Sequence, residues 1–105
     1  MVREYNYAKG VPIEAQFLYR KAMDMYSNGK TESALKYLKQ TLVIAPGYAK
    51  ALFEMGNCLT RLDKHEEAHV RYEQAVRIDP ALKELLEKRG GSIFDKNGDA
   101  PGKKI

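Results

Sequence analysis

The segment HEEAH, residues 65–69, holds the side chains whose types and spacing could most directly do chemistry. On a helix, the H-E-x-x-H pattern places two imidazoles one turn apart, where they can bind Zn²⁺, and supplies a glutamate that can activate water. A catalytic zinc site also needs a third protein ligand and an open coordination position. No histidine follows His69 in the sequence. We therefore treat His65 and His69 as decoys, keep a zinc metallohydrolase as a minor alternative, and expect no enzyme, catalytic residue, metal or cofactor.

Bulk properties indicate one small domain. The chain has 105 residues and a formal net charge of +4, but acidic and basic residues alternate along its helical segments, which is typical of a solvated helix face. We therefore expect no nucleic-acid partner. The single cysteine, Cys58, excludes an intrachain disulfide, and we expect it to fill space in the core as a small apolar side chain.

The first ten residues, MVREYNYAKG, lack the apolar core of a signal peptide, and no apolar run reaches the ~18 residues of a membrane span. We expect a cytoplasmic protein without a membrane partner.

The elements that carry these residues are predicted to be helices. Apolar residues recur at helical spacing in five segments, and no segment alternates as a strand would. The helices are separated at residues 27–30, at Pro46, at residues 63–64 and at Pro80. Pro12 suits the first turn of the first helix, Thr31 is the expected N-cap of the second, and Asp63 with Glu66 forms an expected capping box on the fourth.

The chain contains an internal repeat with an offset of 34 residues. Both the helix breaks and the small or apolar positions recur at this offset. The matching pairs are Pro46 and Pro80, Ala34 and Ala68, Leu18 and Leu52, Ala15 and Ala49, Lys30 and Lys64, Glu32 and Glu66, and Gln40 and Gln74. A helix–turn–helix unit is therefore written twice, and a short fifth helix follows it.

This unit resembles the tetratricopeptide repeat, whose pattern is W-x-x-L-G-x-x-Y, then A-x-x-x-F, then P. The second copy matches with Leu52, Met55, Gly56, Leu59, Ala68, Tyr72 and Pro80, whereas the first has Lys21 and Ala22 where leucine and glycine are usual. The resemblance implies an all-α fold, a fragment of a right-handed α-solenoid. We assign a flexible N-terminal segment (1–11), a domain (12–89) with repeats at about 15–48 and 49–82 and a capping helix at about 81–89, and a flexible C-terminal tail (90–105).

The resemblance also implies where a partner would bind. In stacked repeats of this family the first helix of each pair lines a concave groove. The groove residues implied here are Tyr19, Arg20, Met23, Tyr26, Lys50, Phe53, Asn57 and Arg61. Aromatic, methionine and arginine side chains bring large contact area, which favours a groove that binds a protein or peptide with hydrophobic anchors and some acidic residues. An open alternative is that Tyr19 or Phe53 merely covers the neighbouring helix.

Self-assembly is the second hypothesis. Arrays of this kind usually need three or more units for stability, and this chain has two and a short fifth helix. A second copy could cover the exposed face of the last helix, by packing or by helix exchange, and so form a homodimer.

Overall fold

The structure is a computed structural model, and it describes residues 10–88. Five α-helices and no strand make up this part of the chain: α1 (Ile13–Ser27), α2 (Thr31–Ile44), α3 (Ala49–Arg61), α4 (His65–Ile78) and α5 (Ala81–Lys88). The all-α fold expected from the sequence is confirmed. The flexible ends expected at 1–11 and 90–105 lie outside the described residues, apart from Gly10 and Val11.

The helices pack in chain order. α1 packs on α2 and α3 on α4, so each copy of the repeat is a helical hairpin; α2 also contacts α3, and α5 contacts α4. The core follows this row, and α3 at its centre supplies nine buried residues. In this row α3, the first helix of the second hairpin, lies between α2 and α4, which are the second helices of the two hairpins.

Small residues mark the places where helices approach closely. Ala22, Ala34 and Ala68 are fully buried. Gly56 faces the ring of Tyr72, and a Cβ atom built on Gly56 would lie 2.7 Å from Cε1 of that ring. This distance is far below van der Waals contact, so α3 and α4 can pack at this separation only because Gly56 has no side chain.

The predicted N-caps are wrong. Lys30 and Lys64 occupy the N-cap positions of α2 and α4, and neither helix has a side-chain cap hydrogen bond. The physical reason is the turn before each helix. Asp63 has φ +66°, at the place of Gly29 with φ +82° in the first copy, and the following lysine N–H bonds back five residues, to the carbonyl of Met25 or Leu59. Asp63 therefore ends α3 in a Schellman-type turn instead of starting α4.

Pro12 also differs slightly from its predicted place. It is the N-cap of α1, with extended ψ, and its carbonyl accepts hydrogen bonds from the N–H groups of Ala15 and Gln16. No helix between residues 10 and 88 is both long enough and apolar enough to cross a bilayer.

Candidate functional site

The eight predicted groove residues lie on α1 and α3, but they differ in burial. Tyr19, Met23 and Tyr26 of α1 are partly buried and pack against the core. Three cationic side chains are exposed: Arg20, Lys50 and Arg61. The remaining two, Phe53 and Asn57, are buried. Six of the eight therefore offer surface to a ligand, and two lie beneath it.

Arg61 joins the two leading helices. Its guanidinium carbon lies 3.9 Å from the centroid of the Tyr26 ring, and its Nη1 donates a hydrogen bond of 3.3 Å to the backbone carbonyl of Tyr26. A cation held over an aromatic face at an exposed site contributes about 0.5–1 kcal/mol. The last turn of α3 is therefore tied to the last turn of α1.

Tyr19 forms a second link between the hairpins. Its ring centroid lies 5.2 Å from that of Tyr48, the residue that precedes α3. Burial, followed by the nearby charge of Glu54 and by Tyr48, raises the pKa of Tyr19 well above its usual value. The phenol therefore stays neutral, so it can donate a hydrogen bond while its ring packs against apolar atoms.

Phe53 and Asn57 support this surface from below. Phe53 is 1% exposed, and its ring packs edge-on against Tyr72 at a centroid distance of 5.3 Å. Asn57 is 7% exposed; its Nδ2 donates to Oε1 of Glu54 at 2.9 Å, and its Oδ1 accepts from the Tyr72 hydroxyl at 2.5 Å. Both polar ends of the Asn57 amide therefore have protein partners.

Three residues that belong to this site were not among those predicted for it: Tyr48, Glu54 and Tyr72. Glu54 brings a half-buried carboxylate beside Tyr19 and Asn57. A sequence signal existed for Tyr72, because the repeat register places it opposite Gly56 and Asn57. No comparable signal existed for Tyr48, which follows a break and lies outside any helical stripe.

The HEEAH segment forms the first turns of α4, where both histidines are exposed. Nε2 of His65 lies 3.2 Å from Oδ1 of Asp63, and Nε2 of His69 lies 3.2 Å from Oε2 of Glu73. Across residues 10–88 there is no group of three or more histidine, cysteine or acidic side chains that could hold a metal ion. Each imidazole instead faces a different carboxylate.

Cys58 lies on α3 and is fully buried. Burial raises the pKa of its thiol to about 11, with a further increase from Glu54 and an opposing decrease from Arg61. A buried neutral thiol is a poor nucleophile and packs as a small apolar group, as expected from the sequence.

Comparison with known proteins supports the resemblance seen in the sequence. Residues 13–81, more than half of the chain, match the family model of the tetratricopeptide repeat. The chain is also similar to an uncharacterized protein of Methanocaldococcus jannaschii, with 26% identity over 83 residues, which cover 79% of this chain and 93% of that protein.

Proposed function

Since the chain belongs to the tetratricopeptide repeat family, whose repeats generally mediate protein–protein interaction, we propose that it binds a segment of another protein in the groove lined by α1 and α3. The family is typically non-catalytic, and the proposed role is likewise binding without chemistry. A peptide or a single helix is the proposed ligand.

One observation carries the proposal most directly. Along one side of α1 and α3, partly buried aromatic and methionine side chains stand next to exposed cations. Tyr19 and Met23 supply apolar area that is already ordered, so their contact with a ligand costs little side-chain entropy. Arg20 and Lys50 flank them and favour a ligand with carboxylates beside its apolar anchors.

The test is a binding measurement on charge variants. A partner is first identified by affinity capture and mass spectrometry, and its affinity is then measured by isothermal titration calorimetry. Arg20→Glu with Lys50→Glu reverses two exposed charges of the groove and should weaken binding at least tenfold. Lys36→Glu with Arg77→Glu makes the same change in net charge on the second helices and serves as the matched control. Equal affinity for both double variants would contradict the proposed site.

Self-association is the second candidate, and the exposed apolar face of α1 favours it. The side chains of Ile13 and Phe17, one turn apart, are 70% and 64% exposed. Ala51, which occupies the place of Phe17 in the second copy, is fully buried. A second molecule could cover the α1 face as α2 covers that of α3.

Light scattering at tens of micromolar protein separates the two candidates. A homodimer built on this face should dissociate when Phe17 is replaced by serine and persist when the exposed Lys21 is replaced by serine. A wild-type monomer at that concentration would remove self-association and leave the foreign ligand as the function.

A further inference from the structure

We propose that the chain has a second binding site, on the side of the hairpins opposite the α1–α3 groove, for an acidic peptide segment that carries one apolar anchor residue. The site is a surface pocket between α2 and α4. Its volume is about 460 Å³. The lining residues are Leu35 and Lys39 of α2, Met55 and Leu59 of α3, Lys64 before α4, and Glu67, Val70 and Arg71 of α4. Ligand pockets typically have volumes of roughly 300–1,000 Å³.

This pocket is separate from the groove. An α-helix turns about 100° per residue, so Met55 and Leu59 lie about 160° around α3 from the stripe that carries Lys50 and Asn57. The other lining residues belong to α2, α4 or the turn before α4, and none of the eight groove residues lines the pocket. A ligand in the pocket therefore contacts the second helices of both hairpins, and it can bind whether or not the groove is occupied.

The floor and one wall of the pocket are apolar. Leu35, Met55 and Leu59 are 8%, 4% and 4% exposed, and the little surface that they expose forms the floor of the pocket. Val70 forms a wall and is 46% exposed. A leucine-sized side chain placed on this floor would cover Val70, and each Å² of apolar surface removed from water contributes about 25 cal/mol. The apolar lining of the pocket is limited to this floor and Val70, which suits one anchor better than a row of them.

The charged residues at the rim indicate which ligand charge the pocket favours. Lys39, Lys64 and Arg71 are cationic, whereas Glu67 is the single carboxylate that lines the pocket. Within the described chain neither lysine takes part in an ion pair, and Arg71 donates a hydrogen bond of 2.7 Å to the neutral Gln74. The two ion pairs found there involve histidines elsewhere on α4 and its preceding turn. Three cations that have no carboxylate partner among residues 10–88 surround an apolar floor, and they are complementary to an anchor flanked by aspartate or glutamate.

The experiment uses the full chain and a fluorescein-labelled decapeptide that has one central leucine and four flanking glutamates. Binding is followed by fluorescence anisotropy, and the site is mapped by amide chemical-shift changes in NMR spectra. We expect saturable binding that weakens with added salt, because exposed charges are screened. The shift changes should include residues 64–71, whether or not residues 19–26 of the groove also respond to this peptide. The same peptide with serine in place of leucine should bind at least fivefold more weakly.

Charge variants provide the matched comparison. Lys39→Glu with Lys64→Glu should weaken binding of the decapeptide at least tenfold. Lys36→Glu with Arg77→Glu, which alters net charge equally and changes no residue of the pocket or of the groove, should have less than a twofold effect. Circular dichroism establishes that both double variants keep their helices. Val70→Ser should weaken binding of the leucine peptide several-fold and leave binding of the serine peptide unchanged.

Three results would overturn the proposal. The first is no saturable binding at millimolar peptide. The second is shift changes confined to the groove residues of α1 and α3, which would assign the peptide to the groove alone. The third is binding of a thymidine decanucleotide as tight as that of the peptide, because the rim would then be a non-selective surface for polyanions.

Discussion

The two copies of the repeat share their pattern of small residues but differ in how much they bury. α1 has two fully buried residues, Ala15 and Ala22, whereas α3 has nine buried residues. The difference comes from position in the row, since α3 lies between α2 and α4 and α1 packs on α2. Similar sequences at the 34-residue offset therefore specify similar hairpins, but the neighbours of a hairpin decide which of its side chains are accessible.

The two copies also place different residue pairs at one equivalent contact between helices. In the second copy Tyr72 bonds to Asn57, and in the first Leu38 and Met23 occupy the corresponding positions. A polar pair thus replaces an apolar pair at the same crossing of helices. The two members change together because a buried amide without a partner costs about 1–3 kcal/mol.

The largest expected difference between the copies concerns equivalent aromatic residues. Phe53→Ala should lower the free energy of unfolding by about 3–5 kcal/mol, because it empties a fully buried site. Tyr19→Ala, at the equivalent place on α1, should cost about 1–2 kcal/mol, because that side chain is only partly buried. Urea denaturation followed by circular dichroism measures both. An equal loss of unfolding free energy in both variants would contradict the expectation that the two aromatic residues differ in burial.

A smaller effect is expected from the polar pair. Tyr72→Phe leaves Oδ1 of Asn57 without its donor and should cost about 1–3 kcal/mol. In a chain that already carries Asn57→Leu, Tyr72→Phe should lower the free energy of unfolding by less than it does alone. The coupling energy in a double-mutant cycle should be about 1 kcal/mol. The same denaturation measurement applies to all four chains. Strict additivity would show that the short contact contributes nothing specific to the second copy.

The smallest effect concerns pH and the buried thiol. Burial raises the pKa of Cys58 from its ordinary value of 9.0 to about 11 in the folded chain, so the unfolded chain loses this proton first as pH rises. The stability that the protonated thiol provides is fully present below pH 9 and decreases between about pH 9 and 11. The advantage of the wild type over Cys58→Ala should shrink across that window. Asp24→Ala, at the equivalent exposed position of α1, is the control, and an advantage independent of pH would contradict the interpretation.

The fold could be predicted almost completely from the sequence, because the repeat offset and the helix breaks are local signals. The helix N-caps could not be predicted in this way, because Asp63 resembles a capping residue but ends the preceding helix with a left-handed backbone. The placement of the proposed groove residues on α1 and α3 could be predicted from helical spacing. Their exposure could not, because that of Phe53 and Asn57 depends on Tyr72, which another helix supplies.

The Arg61–Tyr26 and Tyr19–Tyr48 contacts have a further consequence for recognition. They fasten the leading helices together near both ends of α3, so the distance between those helices is set before any ligand arrives. A ligand that matches this spacing loses its own conformational entropy on binding, but no further free energy is needed to bring the two helices to the right distance. The groove should therefore discriminate among peptides by their fit to a preformed width, and loosening either contact should broaden the range of peptides accepted.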